Sequence, residues 1–277
     1  MDLASEIERN VTAALAEDVG DGDATAPLTP AGKPARAAVV CRQDAVVCGQ
    51  PWFDACFRQL DPKADIRWAV AEGTKVTAGS RVCTVQGEAR ALLAAERSAI
   101  NFLQTLSAVA TATRRLVDAA AGTRAKIVDT RKTLPGLRYA QKYAVRTGGG
   151  ANHRMGLYDA MLIKENHIAA AGGVRQALAQ AKKAARPGIW VQIEVENLDQ
   201  LREALDASAT MILLDNMSLD QMREAVKLAG DRAELEASGG VTLENVRAIA
   251  ETGVHRISSG SLTKDVKAVD FSMRFEN

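Results

Sequence analysis

Trp190-Val191-Gln192-Ile193-Glu194-Val195-Glu196, followed by Thr210-Met211-Ile212-Leu213-Leu214-Asp215, decides the fold. Each is a short, largely apolar run that closes on a carboxylate, and an amphipathic stretch separates the two. Strand, helix and strand in that order make a βα unit and a parallel sheet. The rhythm continues outward in both directions. Lys126-Ile127-Val128-Asp129 and Ala160-Met161-Leu162-Ile163-Lys164 precede the pair, and Ala233-Glu234-Leu235-Glu236-Ala237-Ser238 and Arg256-Ile257-Ser258-Ser259 follow it. Val174 to Ala185 and Leu219 to Leu228 are among the amphipathic helices between strands. Six units are visible where a full α/β barrel needs eight strands. The expectation is therefore an α/β protein containing an incomplete, open α/β barrel of parallel strands. A doubly wound sheet is the alternative, but no Gly-x-Gly-x-x-Gly follows a strand.

The first part of the chain reads differently. Ser5 to Asp18 is a helix by its spacing of Ile7, Val11, Ala14 and Leu15, with Ser5 and Glu8 as a capping-box pattern. Val19 to Lys33 is loop. Ala37 to Cys41, Ala45 to Gly49, Ile66 to Val70 and Arg81 to Val85 read as strands, and Pro51 opens a helix over Trp52 to Leu60. Glu72 to Gly79 is similar to the turn-rich half-barrels of biotinyl and lipoyl carriers, but no lysine sits at a hairpin tip flanked by methionine. Glu88 to Ala121 contains no Gly or Pro and forms one long helix or two abutting ones. It marks the domain boundary.

Composition excludes several classes. A chain of 277 residues makes one large or two modest domains. Lys+Arg is 35 against 34 for Asp+Glu, so global attraction to nucleic acid or anionic lipid is not expected. Aromatics at 4% are too few for a base-stacking platform. No apolar run approaches the ~18 residues that span a bilayer. The acidic, amphipathic start of the chain is wrong for a signal peptide, so a cytoplasmic protein is expected. Cys41, Cys48, Cys56 and Cys83 have no Cys-x-x-Cys spacing and read as buried small hydrophobes.

The chemistry gathers at the strand ends. The six runs terminate in Asp129-Thr130-Arg131-Lys132-Thr133, Lys164-Glu165-Asn166-His167, Glu194 with Glu196, Asp215-Asn216, Ser238-Gly239-Gly240 and Ser259-Gly260-Ser261. In α/β barrels the C-terminal rim is the active site. Thr130 to Tyr158 holds Arg131, Lys132, Arg138, Lys142, Arg146, His153 and Arg154 without one acidic residue. That imbalance in a near-neutral chain implies a highly anionic ligand. The two Gly/Ser tips, the first preceding a helix expected near Thr242, suit a phosphate monoester. Glu196 and Asp215 suit Mg²⁺ with several waters retained, stabilisation of positive charge at a sugar carbon, or pairing with Lys132 or Lys164.

Taken together these residues resemble quinolinate phosphoribosyltransferases. The carrying stretches are Glu96 to Phe102, Asp129 to Arg138, Gly148 to Arg154, Leu162 to His167, Glu194 to Glu196, Leu213 to Asn216 and Glu236 to Gly240. The one departure is Glu165, where the family often has Asp. The resemblance implies an N-terminal α/β sandwich-like domain over 1–108, to which 266–277 return, and an open barrel over 109–265. It implies transfer of the phosphoribosyl group from phosphoribosyl pyrophosphate to quinolinate with loss of CO₂, using Mg²⁺ at Glu196 and Asp215. Quinolinate would be gripped by Arg97, Arg131, Lys132, His153, Arg154 and Lys164. The sugar phosphate would lie along Thr130, Ser238, Gly239, Gly240, Ser259, Gly260 and Ser261, with Lys132, Glu196 and Asp215 as the catalytic set. A homodimer, or a higher oligomer built from it, would donate Arg97 across its interface.

Three other readings compete: a related phosphoribosyltransferase-like protein with a different acceptor, such as one associated with molybdate transport; a Schiff-base aldolase using Lys164; and a non-catalytic carrier module.

Overall fold

The computed structural model describes residues 2–276 and divides into two compact units. The first unit comprises the chain up to Arg114, Leu134–Gly149 and the chain from Asp265 onward. It opens with α1 (Leu3–Val19) and continues through β1 (Pro34–Cys41), β2 (Ala45–Val46), α2 (Gln50–Leu60), β3 (Asp65–Trp68), β4 (Lys75–Val76) and β5 (Arg81–Glu88). The single helix α3 (Ala89–Ala119) follows, so the uninterrupted stretch forms one element of 31 residues.

The remaining elements run β6 (Lys126–Val128), α4 (Arg138–Thr147), β7 (Ala160–Ile163), α5 (Glu165–Ala171), α6 (Val174–Ala184) and β8 (Trp190–Val195). Then come α7 (Leu198–Asp206), β9 (Met211–Asp215), α8 (Leu219–Ala229), β10 (Glu234–Ser238), α9 (Val246–Glu251), β11 (Arg256–Ser258), α10 (Ser261–Lys264) and β12 (Phe271–Phe275).

In the first unit β12-β1-β5-β3 form an antiparallel sheet. The last strand thus pairs with the first. Its core holds Val39, Trp52, Phe53, Phe57, Val82 and Val85, with Leu92, Leu103 and Leu106 along one stripe of α3. Phe53 lies edge-on to Trp68 at 5.1 Å, and Trp52 Nε1 donates to Asn10 Oδ1 at 3.1 Å. All four cysteines are buried and unbridged.

In the second unit six strands run parallel in the order β6-β11-β10-β9-β8-β7. β6 and β7 lie at opposite ends of this order, so the barrel is open. Residues beside β6 partly fill the gap: Ala151 bridges Val128, with Ala151 N–H donating to Ile127 O at 2.8 Å. One face of the strands buries Ile193, Val195, Ile212, Leu214, Leu235 and Ala237. Alternation turns Glu194, Leu213, Glu236 and Ser238 to the other face, where they line a cavity.

Several sequence expectations are corrected. Ser5 is not the N-cap of α1: the Asp2 carboxylate accepts the Ser5 N–H at 2.9 Å, because aspartate caps as well as serine and is reached earlier. The strand expected over Ala45 to Gly49 keeps ladder pairing only at Ala45–Val46. The helix expected near Thr242 begins at Val246, because the Asn245 side chain takes the Thr242 N–H at 2.8 Å and holds those residues in a turn. The helix-terminus argument for phosphate binding at Gly239-Gly240 therefore falls away. The basic stretch is also divided: Arg138, Lys142 and Arg146 lie on α4 in the first unit, whereas Arg131, Lys132, His153 and Arg154 belong to the second.

The packing sets a stability prediction. Phe53→Ala removes a fully buried ring and is expected to cost about 3–5 kcal/mol in denaturant unfolding. Leu28→Ala, at a residue 85% exposed, is expected to change stability by less than about 0.5 kcal/mol.

Candidate active site

The strand ends of the second unit converge. Thr130, Arg131, Lys132, His153, Arg154, Lys164, Glu194, Glu236, Ser238 and Ser258 line a cavity of about 160 Å³, with Leu162 and Leu213 as its apolar wall. A wider hollow of about 550 Å³ shares Arg131, Arg154, Leu162 and Lys164 and runs along β7 and α6. Seven of the sequence-derived candidates thus meet in one place.

Backbone bonds fix the loop after β6. Thr130 Oγ1 accepts the Lys132 N–H at 3.0 Å, and Thr263 Oγ1 donates to Lys132 O at 2.7 Å. Gly260 packs against the Lys132 stem, where an added Cβ would stand 2.7 Å from Cδ. Ser259 and Ser261 hydroxyls meet at 2.7 Å beside it. The buried Asp129 carboxylate accepts from Asn152 Nδ2 at 2.6 Å and from His153 N at 2.9 Å. It ties the 151–154 segment to the end of β6.

Arg154 is buried, and its Nη1 donates to Ala160 O at 3.2 Å. Burial and the neighbouring Arg131 both push its guanidinium below the usual arginine range, against the pull of Asp159. Two guanidiniums side by side in a partly desolvated pocket form the positive pole of the site.

Lys164 ends β7, and its Nζ donates to both Glu194 oxygens, at 2.9 and 3.2 Å. This ion-paired, half-exposed ammonium is unlike the desolvated amine that Schiff-base chemistry uses. Burial raises the Glu194 carboxyl, Lys164 opposes that shift, and Asp215 and Glu165 add to it. Asp215 and Glu165 are thus close enough for their charges to be felt at Glu194. Glu196 is exposed just beyond β8, and Asp215 ends β9 with Oδ2 accepting from Asn216 Nδ2 at 2.9 Å. Neither lines the cavity itself. Among the described residues no three His, Cys, Asp or Glu side chains form a metal cage. A pair of rim carboxylates nonetheless fits Mg²⁺, which keeps waters and takes substrate phosphate oxygens.

Gly239 requires glycine: its φ is +101°, and a Cβ there would collide with the Asn216 side chain. The tips after β9 and β10 therefore interlock. Arg97 is exposed on α3 in the first unit and is not part of the cavity lining. Sequence reasoning gave no role to three buried polar groups: Asp129, Gln192 and Glu236. The signal for two of them was the period-two row of polar residues within the strands, Gln192-x-Glu194 and Glu234-x-Glu236-x-Ser238. Glu236 Oε1 is the buried side-chain oxygen without a hydrogen-bond partner among the described residues.

Residues 109–274 match the quinolinate phosphoribosyl transferase C-terminal domain family, and residues 23–107 match its N-terminal domain family. Quinolinate phosphoribosyltransferase (decarboxylating) 1 of Nicotiana glauca is 41% identical over 95% of this chain and 80% of its own length. A probable nicotinate-nucleotide pyrophosphorylase (carboxylating) of Bacillus subtilis strain 168 is 41% identical over 93% of this chain and 89% of its own. The solved nicotinate-nucleotide pyrophosphorylase from Francisella tularensis matches with a TM-score of 0.96 at 42% identity, covering 100% of this chain and 98% of that one. Both domain matches, the whole-length identity and the cation-lined cavity at the strand ends agree: the chain belongs to the quinolinate phosphoribosyltransferase family.

Proposed function

We propose that the protein transfers the phosphoribosyl group of phosphoribosyl pyrophosphate to quinolinate with decarboxylation. The products are nicotinate mononucleotide, pyrophosphate and CO₂, a step in making NAD. One observation carries this reading: Arg131, Lys132, Arg154 and Lys164 converge on a cavity that also holds Glu194, whose carboxyl feels the charges of Asp215 and Glu165. That polarity suits a dianionic acceptor beside a sugar that becomes cationic. The cavity also brings the Arg131 charge close enough to Arg154 to disfavour it, a repulsion that a dicarboxylate between them would relieve, which favours quinolinate over other acceptors.

In the proposed reaction Arg131 and Arg154 grip the quinolinate carboxylates through their planar forks, aided by the His153 segment. The Gly/Ser tips 238–240 and 259–261 and Thr130 receive the sugar phosphate. Lys132 takes up negative charge developing on pyrophosphate as the bond to the sugar carbon lengthens. Glu196 and Asp215 face the ribosyl group, stabilise its oxocarbenium character and are the residues that hold Mg²⁺. Bound Mg²⁺ supplies Lewis-acid neutralisation of pyrophosphate. The pyridine nitrogen attacks and becomes a pyridinium. That positive charge stabilises the carbanion left when the neighbouring carboxylate departs as CO₂, and a proton then replaces it. Positioning and electrostatics do the work, with no covalent nucleophile. We further propose a cytoplasmic homodimer in which Arg97 of one copy completes the quinolinate site of the other. No helix among the described residues is long and apolar enough to cross a membrane.

Three outcomes test these assignments. Arg131→Ala should weaken quinolinate binding by about 10–150-fold in calorimetry, the loss of a charge-assisted contact worth roughly 1.5–3 kcal/mol; an unchanged Kd contradicts the grip. Gly260→Ala should displace Lys132 and lower kcat by roughly tenfold or more while the melting temperature barely moves; wild-type kcat contradicts the placement of Lys132. Arg97→Ala and Asp215→Ala, each inactive alone, should regain partial activity when co-refolded as mixed dimers; no recovery contradicts donation of Arg97 across the interface.

A further inference from the structure

Glu236 lies within β10, is 1% exposed and has no part in the reaction described above. Its Oε2 accepts from Gln192 Nε2 at 3.1 Å, reaching over β9 to β8. Gln192 Oε1 in turn faces His153 Nε2 at 2.9 Å, and His153 Nδ1 accepts the Arg154 N–H at 2.8 Å. The direction of this chain is set at its acidic end. Glu236 Oε2 is the acceptor there, so Gln192 turns its NH₂ to Glu236 and its carbonyl to the imidazole. The imidazole must then donate from Nε2, which leaves Nδ1 free to receive the Arg154 amide. The carboxylate also faces the imidazole itself, with Oε2 3.8 Å from His153 Nε2, so its charge and its hydrogen bond to Gln192 act on the same ring nitrogen.

We propose that Glu236 is a positioning residue: through Gln192 it fixes the Nε2–H tautomer of His153 and thereby seats the Arg154 backbone. This rests on the reading that Arg154 grips quinolinate. With Glu236 removed, the Gln192 amide is free to flip and offer its NH₂ to Nε2. That moves the imidazole proton to Nδ1 and evicts the Arg154 N–H. Glutamine at 236 can still accept from Gln192 and keep the direction.

The test combines ¹⁵N-histidine NMR with steady-state kinetics. The chain has three histidines, so His153→Gln assigns the resonances. The wild type should show His153 protonated at Nε2 only. Glu236→Leu should shift the signature toward Nδ1–H and raise the quinolinate KM about tenfold or more, with the phosphoribosyl pyrophosphate KM within about twofold. Glu236→Gln should keep the wild-type signature and stay within about threefold in KM. Should Glu236→Leu fail to fold, Glu236→Met, which keeps the side chain's reach but removes the acceptor, must give the same two changes. An unaltered His153 signature overturns the relay, and an altered signature with unchanged quinolinate KM overturns its role in binding. A wild type without quinolinate turnover would instead remove the functional reading, while the NMR still reports on the relay.

Discussion

Chain direction is the constraint from which the site follows. Six strands run parallel, so every C-terminal end falls on one edge of the sheet. The residues just past those ends are loops, free to carry charge, while the strands behind them bury Ile193, Ile212, Leu214 and Leu235 completely. Rigid scaffold and reactive rim are thus two consequences of the same repeated βα unit. The open edge is part of the arrangement. With β6 and β7 unpaired, residues 150–154 can lie beside β6 and deliver His153 and Arg154 into the cavity.

The site is held under electrostatic tension. Arg131 and Arg154 repel each other in a place where water is thinned, and the Glu194 carboxyl is raised by burial and by its acidic neighbours. Three side chains keep these groups in place: Asp129 on the His153 segment, Asp159 accepting from Met155 N at 2.6 Å and Gly156 N at 3.0 Å, and Lys164 on Glu194. A dianion between the guanidiniums and a developing sugar cation near the carboxylates would relieve both strains at once. In the proposed reaction the attraction of the carboxylates for the sugar would grow as its positive charge develops, so it would be stronger in the transition state than in the bound substrate, which is the requirement for catalysis.

Much of this was legible in the sequence. The parallel open barrel and the rim residues follow from apolar runs that each end in polar groups, and the stretch without Gly or Pro predicted one long helix or two abutting ones. Local signals misled where two residues compete for one role, as when Asp2 replaced Ser5 as cap and Asn245 delayed the start of α9. The uniform basic stretch from Thr130 to Tyr158 also misled, because charge along a chain says nothing of which unit each residue joins. Ala140, Ala144 and Val145 are core residues of the first unit and take Arg138 and Arg146 with them. The buried relay through Gln192 and Glu236 was hidden for a different reason. Its partners are 39 and 44 residues apart along the chain, so only the fold brings them together.

The most direct measurement is stoichiometric. Purified protein is incubated with quinolinate labelled in the 2-carboxylate, phosphoribosyl pyrophosphate and Mg²⁺, and released CO₂ is counted against pyridine nucleotide formed. The account predicts one CO₂ for each nicotinate mononucleotide, and none when either substrate is withheld. Nucleotide formed without CO₂, or no turnover by folded protein, would contradict it.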